Sequence, residues 1–133
     1  MTRALSFLSA GLLTAVHAIA IAGSAVLSGG CNHNHSFAGS CFTVRGRIAL
    51  YQGTPGMRVW PVGSKRLLGV LPSENEDVPA PLLKLFEQHA RDSYIFGTFD
   101  VCPLTAAHPG VMQYVCIRSA GSIRVVPLQH QMP

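Results

Sequence analysis

Four cysteines in a chain of 133 residues, at positions 31, 41, 102 and 116, are the feature that most constrains the fold. An even number of cysteines in a short chain is typical of exported proteins, whose disulfides supply stability that a small core lacks. Cys102 and Cys116 flank a stretch with HPG near its middle, which predicts a hairpin that places them opposite each other. This geometry favours a Cys102–Cys116 disulfide and leaves Cys31 to pair with Cys41.

The N-terminal segment has the pattern of an export signal. Arg3 precedes residues 4–30, which contain no Asp, Glu, Lys or Arg, because each charge would oppose entry into a bilayer. The patterns AIA and GSA, at 20–22 and 23–25, are typical of signal peptidase sites. We predict a signal peptide over residues 1–30 and export to the periplasm or cell envelope. The alternative is a retained anchor, since about 20 apolar residues can span a bilayer.

Cys31 has a second interpretation, as the lipid-attachment site of a bacterial lipoprotein. The preceding residues resemble the lipobox Leu-(Ala/Ser)-(Gly/Ala)-Cys, but Leu27 lies one position too far from the cysteine. Lipidation would consume Cys31 and leave Cys41 without its partner. We therefore predict a disulfide at Cys31 and keep lipidation, with membrane anchoring, as the alternative.

Residues 31–40 have the composition of a flexible linker, rich in Gly, Asn and Ser. Cys31, His33 and His35 alternate within it and are soft metal ligands, but the segment offers them no fixed scaffold. The sequence contains no C-x-x-C motif, which argues against a zinc ribbon or a thioredoxin-type redox site. We predict neither a metal site nor a cofactor.

Alternating apolar residues predict strands from Cys41 onward. In FTVRGRIALY, Phe42, Val44, Ile48 and Leu50 fall on one face, and Gly46 among them predicts a bend. Further strands are predicted in MRVWPV, RLLGVL, SYIFGTFDVC and VMQYVCIRSA, with a short sixth segment in SIRVVPL. The stretch APLLKLFEQHAR predicts a helix between the third and fourth strands, with an apolar stripe of Leu82, Leu83, Leu85, Phe86 and Ala90.

This order of elements predicts a mainly β domain with one helix, a small OB-like Greek-key barrel. The domain is expected to cover residues 41–127 and to be followed by a polar tail over 128–133. A two-layer β-sandwich and an α+β roll are the alternative architectures.

Four stretches also carry a resemblance to a family. CFTVRGRIALYQGTP, RVWPVGSKRLLGV, FDVCPLT and PGVMQYVCIRSA resemble segments of short exported proteobacterial proteins of unknown function. The resemblance covers nearly the whole predicted domain. It implies export and a single domain, and it implies no activity.

Charge and motifs narrow the classes of function. After residue 30 the chain holds nine Lys and Arg against six Asp and Glu, a mild excess that does not favour a nucleic-acid binder. No G-x-S-x-G elbow, P-loop or Rossmann glycine pattern occurs. Five of the six acidic residues fall between Glu74 and Asp92, which leaves few pairs for acid–base catalysis. We predict that the protein is not an enzyme.

A binding face is the favoured function. Strand parity places Arg45, Arg47 and Tyr51 outward on the first predicted strand, with Arg58 and Trp60 outward on the second. Guanidinium groups match anionic groups, and OB-type barrels commonly bind ligands on an outer strand face. We predict a module that recognises an anionic envelope component. The alternatives are an assembly module that binds an envelope protein, and ordinary solvent-facing residues without a ligand.

Overall fold

The computed structural model describes residues 25–32, 36–71 and 77–129. Within these ranges the elements, in chain order, are β1 (Leu27–Ser28), β2 (Phe42–Leu50), β3 (Met57–Pro61), β4 (Leu68–Val70), α1 (Ala80–His89), β5 (Ser93–Pro103) and β6 (Gln113–Pro127).

Several predicted segments fall outside the described residues. They are the leader and retained-anchor segment up to residue 24, residues 33–35 with both linker histidines, the acidic stretch 72–76, and the tail from residue 130. In the ranges that are described, we find no helical segment with the length and hydrophobicity of a bilayer span.

The strands form one mixed sheet that nearly closes into a ring. Their order is β1-β6-β4-β3-β2-β5, and β5 also pairs with β6, so that β2 to β6 surround one core. β4 and β6 are parallel, and the other neighbours are antiparallel. Three strands, a helix and two strands arranged in this order make a small OB-like barrel. The predicted fold class is confirmed.

Gly46, where the sequence predicts a bend, is a buried residue within the continuous strand β2. Gly46 lies opposite Gly97 of β5 and Pro61 of β3. A Cβ atom at Gly46 would lie 2.6 Å from the carbonyl oxygen of Trp60. The missing side chain therefore lets β2 and β3 approach and curve, as closure of a small barrel requires.

The core lies inside the ring and beneath the helix. Its largest fully buried side chains from the strands are Phe99, Ile48, Met57, Leu68, Ile95 and Ile117. α1 begins with a proline in its first turn, a position where the missing N–H costs no helical hydrogen bond. One turn apart, Leu82 and Phe86 are buried and close one end of the barrel. Part of the predicted apolar stripe is therefore the packing face.

β6 is a single strand of 15 residues, where the sequence predicts two segments. Its pairing with β5 shifts register between Phe96 and Thr98 and again between Asp100 and Val101. Ser122 adopts a positive φ of 52° at the first of these irregularities. β-bulges of this kind bend a strand without ending it, which explains why a break in the pattern does not divide the strand.

The N-terminal part of the described chain packs on the barrel as a short edge strand. Leu27 and Ser28 pair with Ala120 and Ser119 of β6, and the Gly30 N–H donates to the Arg118 carbonyl oxygen at 3.2 Å. The ordered domain thus begins before the predicted start at Cys41. Residues on both sides of the predicted signal–linker boundary after residue 30 contact β6 through backbone hydrogen bonds or a disulfide, and the boundary itself stays a prediction.

Gly30 should tolerate no side chain. It is buried, and a Cβ atom there would overlap the Ile117 carbonyl oxygen and lie 2.8 Å from Pro79 Cδ. We expect Gly30→Ala to lower the free energy of unfolding by about 1–3 kcal/mol, because the segment must move off β6 to make room. Urea denaturation measures the loss. Gly39→Ala is the matched control, since its Cβ would meet Pro103 Cγ at an ordinary 3.6 Å; equal losses in the two variants would contradict the packing argument.

Both disulfides differ from the predicted pairing. The structure links Cys31 to Cys116 and Cys41 to Cys102, and no described cysteine is free. The predicted hairpin is present, because Cys102 and Cys116 are cross-strand partners. Cys116 bonds instead to Cys31, which continues the β1–β6 register on the other side of β6. Cys102 bonds to Cys41, which continues the β2–β5 register on the other side of β5. Participation of all four cysteines in disulfides is confirmed, and the predicted pairing is wrong.

Candidate functional site

A row of alternating aromatic and arginine side chains crosses the outer surface of the barrel. Arg47 of β2 is the cross-strand partner of Trp60 of β3 on one side and of Phe96 of β5 on the other. Phe96 in turn pairs with Arg124 of β6. Cross-strand partners project from the same face of a sheet. The four side chains therefore form one band across four strands, which the barrel brings together from three separate parts of the sequence.

Stacking orders this band. The Arg47 Cζ lies 4.7 Å from the ring centroid of Trp60 and 4.1 Å from that of Tyr94, so the guanidinium is held between two aromatic rings. Tyr94 meets Phe96 edge to face at 6.3 Å, and the Arg124 Cζ lies 5.6 Å from the Phe96 centroid. Cation–π contacts of this kind are worth about 0.5–1 kcal/mol each at exposed sites. They restrict the conformations of the Arg47 and Arg124 side chains.

The turn after β3 fixes Trp60. The indole Nε1–H donates to the Ser64 carbonyl oxygen at 2.8 Å, and the Ser64 hydroxyl donates to the Pro61 carbonyl oxygen at 2.7 Å. Gly63 supplies the positive φ of 84° that this turn needs. The ring at one end of the band is therefore positioned by backbone atoms rather than by solvent-exposed side chains.

A groove of about 510 Å³ opens beside the band. Arg45 and Arg124 line it together with Val62, Phe96, Gly97 and Thr98. Arg45 and Arg124 are exposed, and neither forms an ion pair with a carboxylate of the described residues. We call Arg45, Arg47, Trp60, Tyr94, Phe96 and Arg124 the arginine–aromatic face.

Arg47 carries an unsatisfied donor within this face. Its Nε is buried and has no hydrogen-bond partner among the described residues. A buried N–H of a charged group without an acceptor is costly and needs a structural or functional explanation. The stacked rings of Trp60 and Tyr94 compensate part of this cost.

The structure divides the predicted patch. Arg45, Arg47 and Trp60 belong to the arginine–aromatic face. Arg58 instead stacks on Tyr51 at 5.0 Å and donates from Nε to the Pro55 carbonyl oxygen at 2.9 Å and from Nη2 to the Gln52 carbonyl oxygen at 3.2 Å. These contacts hold the β2–β3 turn, so Tyr51 and Arg58 have a local structural role.

Tyr94, Phe96 and Arg124 are the members of the face that sequence reasoning missed. Parity in SYIFGTFDVC places Tyr94 and Phe96 opposite the buried Ile95, and in SIRVVPL it places Arg124 between the half-buried Ile123 and Val125. That alternation was the available signal. Alternation alone does not show that β5 pairs with β2, and only this pairing places Tyr94 and Phe96 beside Arg47.

A second groove, of about 550 Å³, lies between the β3–β4 turn and the β5–β6 loop. Lys65, Arg66 and His108 line it. The Arg66 guanidinium donates to Gln113 Oε1 at 2.5 Å, and the Gln113 side-chain amide donates to the Thr105 carbonyl oxygen at 3.0 Å. This groove is lined by Lys65 and Arg66 and by no Phe, Tyr or Trp side chain, and it serves below as a comparison for the arginine–aromatic face.

Two of the described acidic side chains, Asp100 and Asp92, have structural contacts. Asp100 accepts from Arg118 at 2.6 Å in an exposed ion pair, and Asp92 accepts from the Ser93 hydroxyl at 3.0 Å. Of the histidines, His89 lies in the last turn of α1, where a basic residue suits the helix dipole. That the protein is not an enzyme stays a prediction.

Comparison with protein-family models, with curated proteins and with solved structures finds no match for this chain. The resemblance to short exported proteobacterial proteins therefore stays a prediction. The class that fold and site define is a small, disulfide-linked OB-like barrel with an arginine–aromatic outer face.

Proposed function

We propose that the protein is an exported cell-envelope module that binds phosphate or carboxylate groups of an anionic envelope component through the arginine–aromatic face. The observation that carries the proposal is the placement of Arg45 and Arg124 on one groove, both exposed and without a carboxylate partner among the described residues. Guanidinium groups are the preferred side chains for planar anions because they donate paired hydrogen bonds.

Preorganisation supports this assignment over ordinary surface charge. A free arginine loses side-chain entropy when it binds, whereas Arg47 and Arg124 already stack on rings that are themselves held by neighbouring strands. Isolated arginines on a solvated surface lack this restriction and would lose more side-chain entropy on binding an anion.

Export is supported by the disulfides. Cross-links between residues as distant as Cys31 and Cys116 persist in oxidising compartments and are rare in reducing ones. We infer a periplasmic or envelope location from this chemistry together with the uncharged leader, although the leader itself lies outside the described residues. The retained edge strand favours cleavage within or next to the AIA and GSA patterns rather than after residue 30.

The lipoprotein alternative has a structural cost. Acylation of Cys31 would make it the first residue, which removes β1 and the Gly30 hydrogen bond and leaves Cys116 without its disulfide partner. We therefore propose that Cys31 is a disulfide cysteine in the exported protein. Intact mass of the exported product distinguishes the two, because diacylglycerol adds mass and a disulfide removes two hydrogens.

Binding should depend on the groove arginines. We expect Arg45→Ala/Arg124→Ala to weaken binding to phosphatidylglycerol vesicles or to soluble polyphosphate by about tenfold or more, because each charge-assisted hydrogen bond is worth about 1.5–3 kcal/mol. Co-sedimentation and calorimetric titration measure the affinities. Comparison of the vesicles with the soluble polymer shows whether the phosphate must be presented on a membrane.

Two control variants make this test specific. Lys65→Ala/Arg66→Ala removes the same charge from the second groove, and Arg58→Ala removes an arginine whose donors are engaged by the β2–β3 turn. Both should retain near wild-type affinity. If the Lys65/Arg66 variant weakens binding as much as the Arg45/Arg124 variant, the binding reflects net charge, and the arginine–aromatic face is not the site.

Assembly with an envelope protein is the second candidate function. On the side of β6 away from β5, pairing with β1 ends at Ala120, and residues 121–127 have no described strand beside them on that side. An unpaired strand edge can accept a strand from a partner. This function predicts that complex formation with an envelope protein is unchanged in the Arg45/Arg124 variant, which separates it from the first.

A further inference from the structure

The four cysteines lie in one continuous row across four adjacent segments of the sheet. Cys102 of β5 and Cys116 of β6 are cross-strand partners. Cys41 extends the β2–β5 register to Cys102, and Cys31 extends the β1–β6 register to Cys116. The order along the row is therefore Cys31, Cys116, Cys102 and Cys41. The disulfides join the two outer pairs and leave the middle pair, Cys116 and Cys102, in contact but unbonded.

The sulfur atoms of the row are within reach of one another. The Sγ atoms of Cys31, Cys102 and Cys116 all lie within 4.8 Å of each other. Cys116 Sγ also contacts the Cys102 carbonyl oxygen at 3.8 Å. Directly opposed residues of antiparallel strands have Cα atoms about 4.5–5.5 Å apart, which is within the range that a disulfide spans. A Cys102–Cys116 bond therefore needs little movement of the backbone.

We propose that this row is a thiol–disulfide exchange site, in which opening of either outer disulfide moves the bond to the Cys102–Cys116 pair. An external thiolate attacks Cys31 Sγ, forms a mixed disulfide there and releases the Cys116 thiolate. The Cys116 thiolate attacks Cys102 Sγ, forms the Cys102–Cys116 bond and releases the Cys41 thiolate, which takes a proton from solvent. If the external reagent is a dithiol, its second thiol resolves the mixed disulfide, and it leaves as the oxidised cyclic form while Cys31 becomes a thiol.

Burial gives this exchange a direction. Cys102 and Cys116 are fully buried, whereas Cys31 and Cys41 are partly exposed. An external thiol therefore meets the row at its ends, and exchange moves the free sulfur from a buried middle position to a solvent-accessible end. Because thiolates are better solvated in water than in an apolar interior, the product with free end cysteines is favoured.

Exchange would also release the edge segment. The Cys31–Cys116 bond ties residues 25–32 to β6, where the backbone contacts are two strand residues and the Gly30 hydrogen bond. After exchange the barrel keeps a short cross-link between β5 and β6, while the segment is held by those few contacts alone. Reaction of the row with an external thiol would therefore weaken the attachment of residues 25–32 and expose the edge of β6.

The Cys31→Ser variant tests the proposal directly. We expect the oxidised variant to contain a Cys102–Cys116 disulfide and a free Cys41, identified by alkylation without reduction, proteolysis and mass spectrometry. By the same mechanism, Cys41→Ser should contain Cys102–Cys116 and a free Cys31. A Cys31→Ser protein that keeps Cys41–Cys102 and carries the alkyl label on Cys116 would overturn the proposal.

Wild-type protein provides a test that does not depend on the folding of a variant. Limiting dithiothreitol is added, and samples are quenched with N-ethylmaleimide over time. We expect the first species with two labels to carry them on Cys31 and Cys41, with Cys102–Cys116 bonded. Labels on Cys31 and Cys116 with Cys41–Cys102 intact, or on Cys41 and Cys102 with Cys31–Cys116 intact, throughout the time course would show that the disulfides open independently and would refute exchange.

Discussion

Replacing Cys41 and Cys102 together by alanine should lower the free energy of unfolding by about 4 kcal/mol, because a cross-link over a separation of 61 residues restricts the unfolded chain strongly. Small domains are stable by about 5–15 kcal/mol in total, so this loss is a large fraction. Both cysteines are removed at once, which leaves no unpaired thiol to exchange with Cys31–Cys116. Urea denaturation under non-reducing conditions measures the loss.

The second disulfide supplies the control for this prediction. Cys31→Ala/Cys116→Ala removes a cross-link over a separation of 85 residues and should lower the free energy of unfolding by a similar amount through chain entropy. This variant also loses the covalent attachment of the edge strand β1. Dithiothreitol should destabilise each double variant further and should bring both to the stability of the reduced wild-type chain. A Cys41/Cys102 variant that unfolds at the wild-type urea concentration would show that this cross-link does not restrain the unfolded state.

The strands and the helix could be predicted because their signals are local. Alternation of apolar residues identified β2, β3, β5 and the first half of β6, and a continuous apolar run identified β4. The apolar stripe with its prolines identified α1. The bend predicted in β2 rests on one residue, Gly46, where the structure shows a close approach of the Trp60 backbone. The order of three strands, a helix and further strands was then enough to indicate an OB-like barrel, since few small architectures place a helix at that point.

The cysteine pairing could not be predicted, because it depends on neighbours that are distant in sequence. Local geometry placed Cys102 opposite Cys116, and the structure agrees. A strand within a sheet has a neighbour on each side, however. The second neighbours of Cys116 and Cys102 are Cys31 and Cys41, which lie more than 60 residues earlier in the chain. Composition described the region around Cys31 as linker, and nothing in it indicates that Leu27 and Ser28 extend the sheet.

The candidate site shows the same limit. Parity within β2 and β3 correctly put Arg45, Arg47 and Trp60 on one outer face, because the hairpin joins those strands directly. Tyr94 and Phe96 reach Arg47 only through the β2–β5 pairing that closes the barrel. Likewise, no rule of sequence spacing separates Arg58 from the face; its carbonyl partners in the β2–β3 turn do so.

Phe99→Ala should be the most damaging single truncation in the core, with an expected loss of about 3–5 kcal/mol in the free energy of unfolding. Phe99 is fully buried and is the largest such side chain in the described residues. It lies on β5 opposite Val44 of β2 and Ala120 of β6, so its ring fills the space where three strands meet. Alanine would leave a cavity that the closed sheet cannot collapse to fill.

The geometry around Phe99 also predicts which replacements should be tolerated. A Cβ atom at Gly97 would lie 3.1 Å from Phe99 Cζ, so the ring occupies the space left by the missing side chain. Phe99→Leu should therefore cost less than Phe99→Ala, because it keeps most of the buried volume. Phe42→Ala is the control, since Phe42 begins β2 and is only partly buried. Urea midpoints that rank Phe42→Ala at or above Phe99→Ala would place the packing centre of the barrel elsewhere.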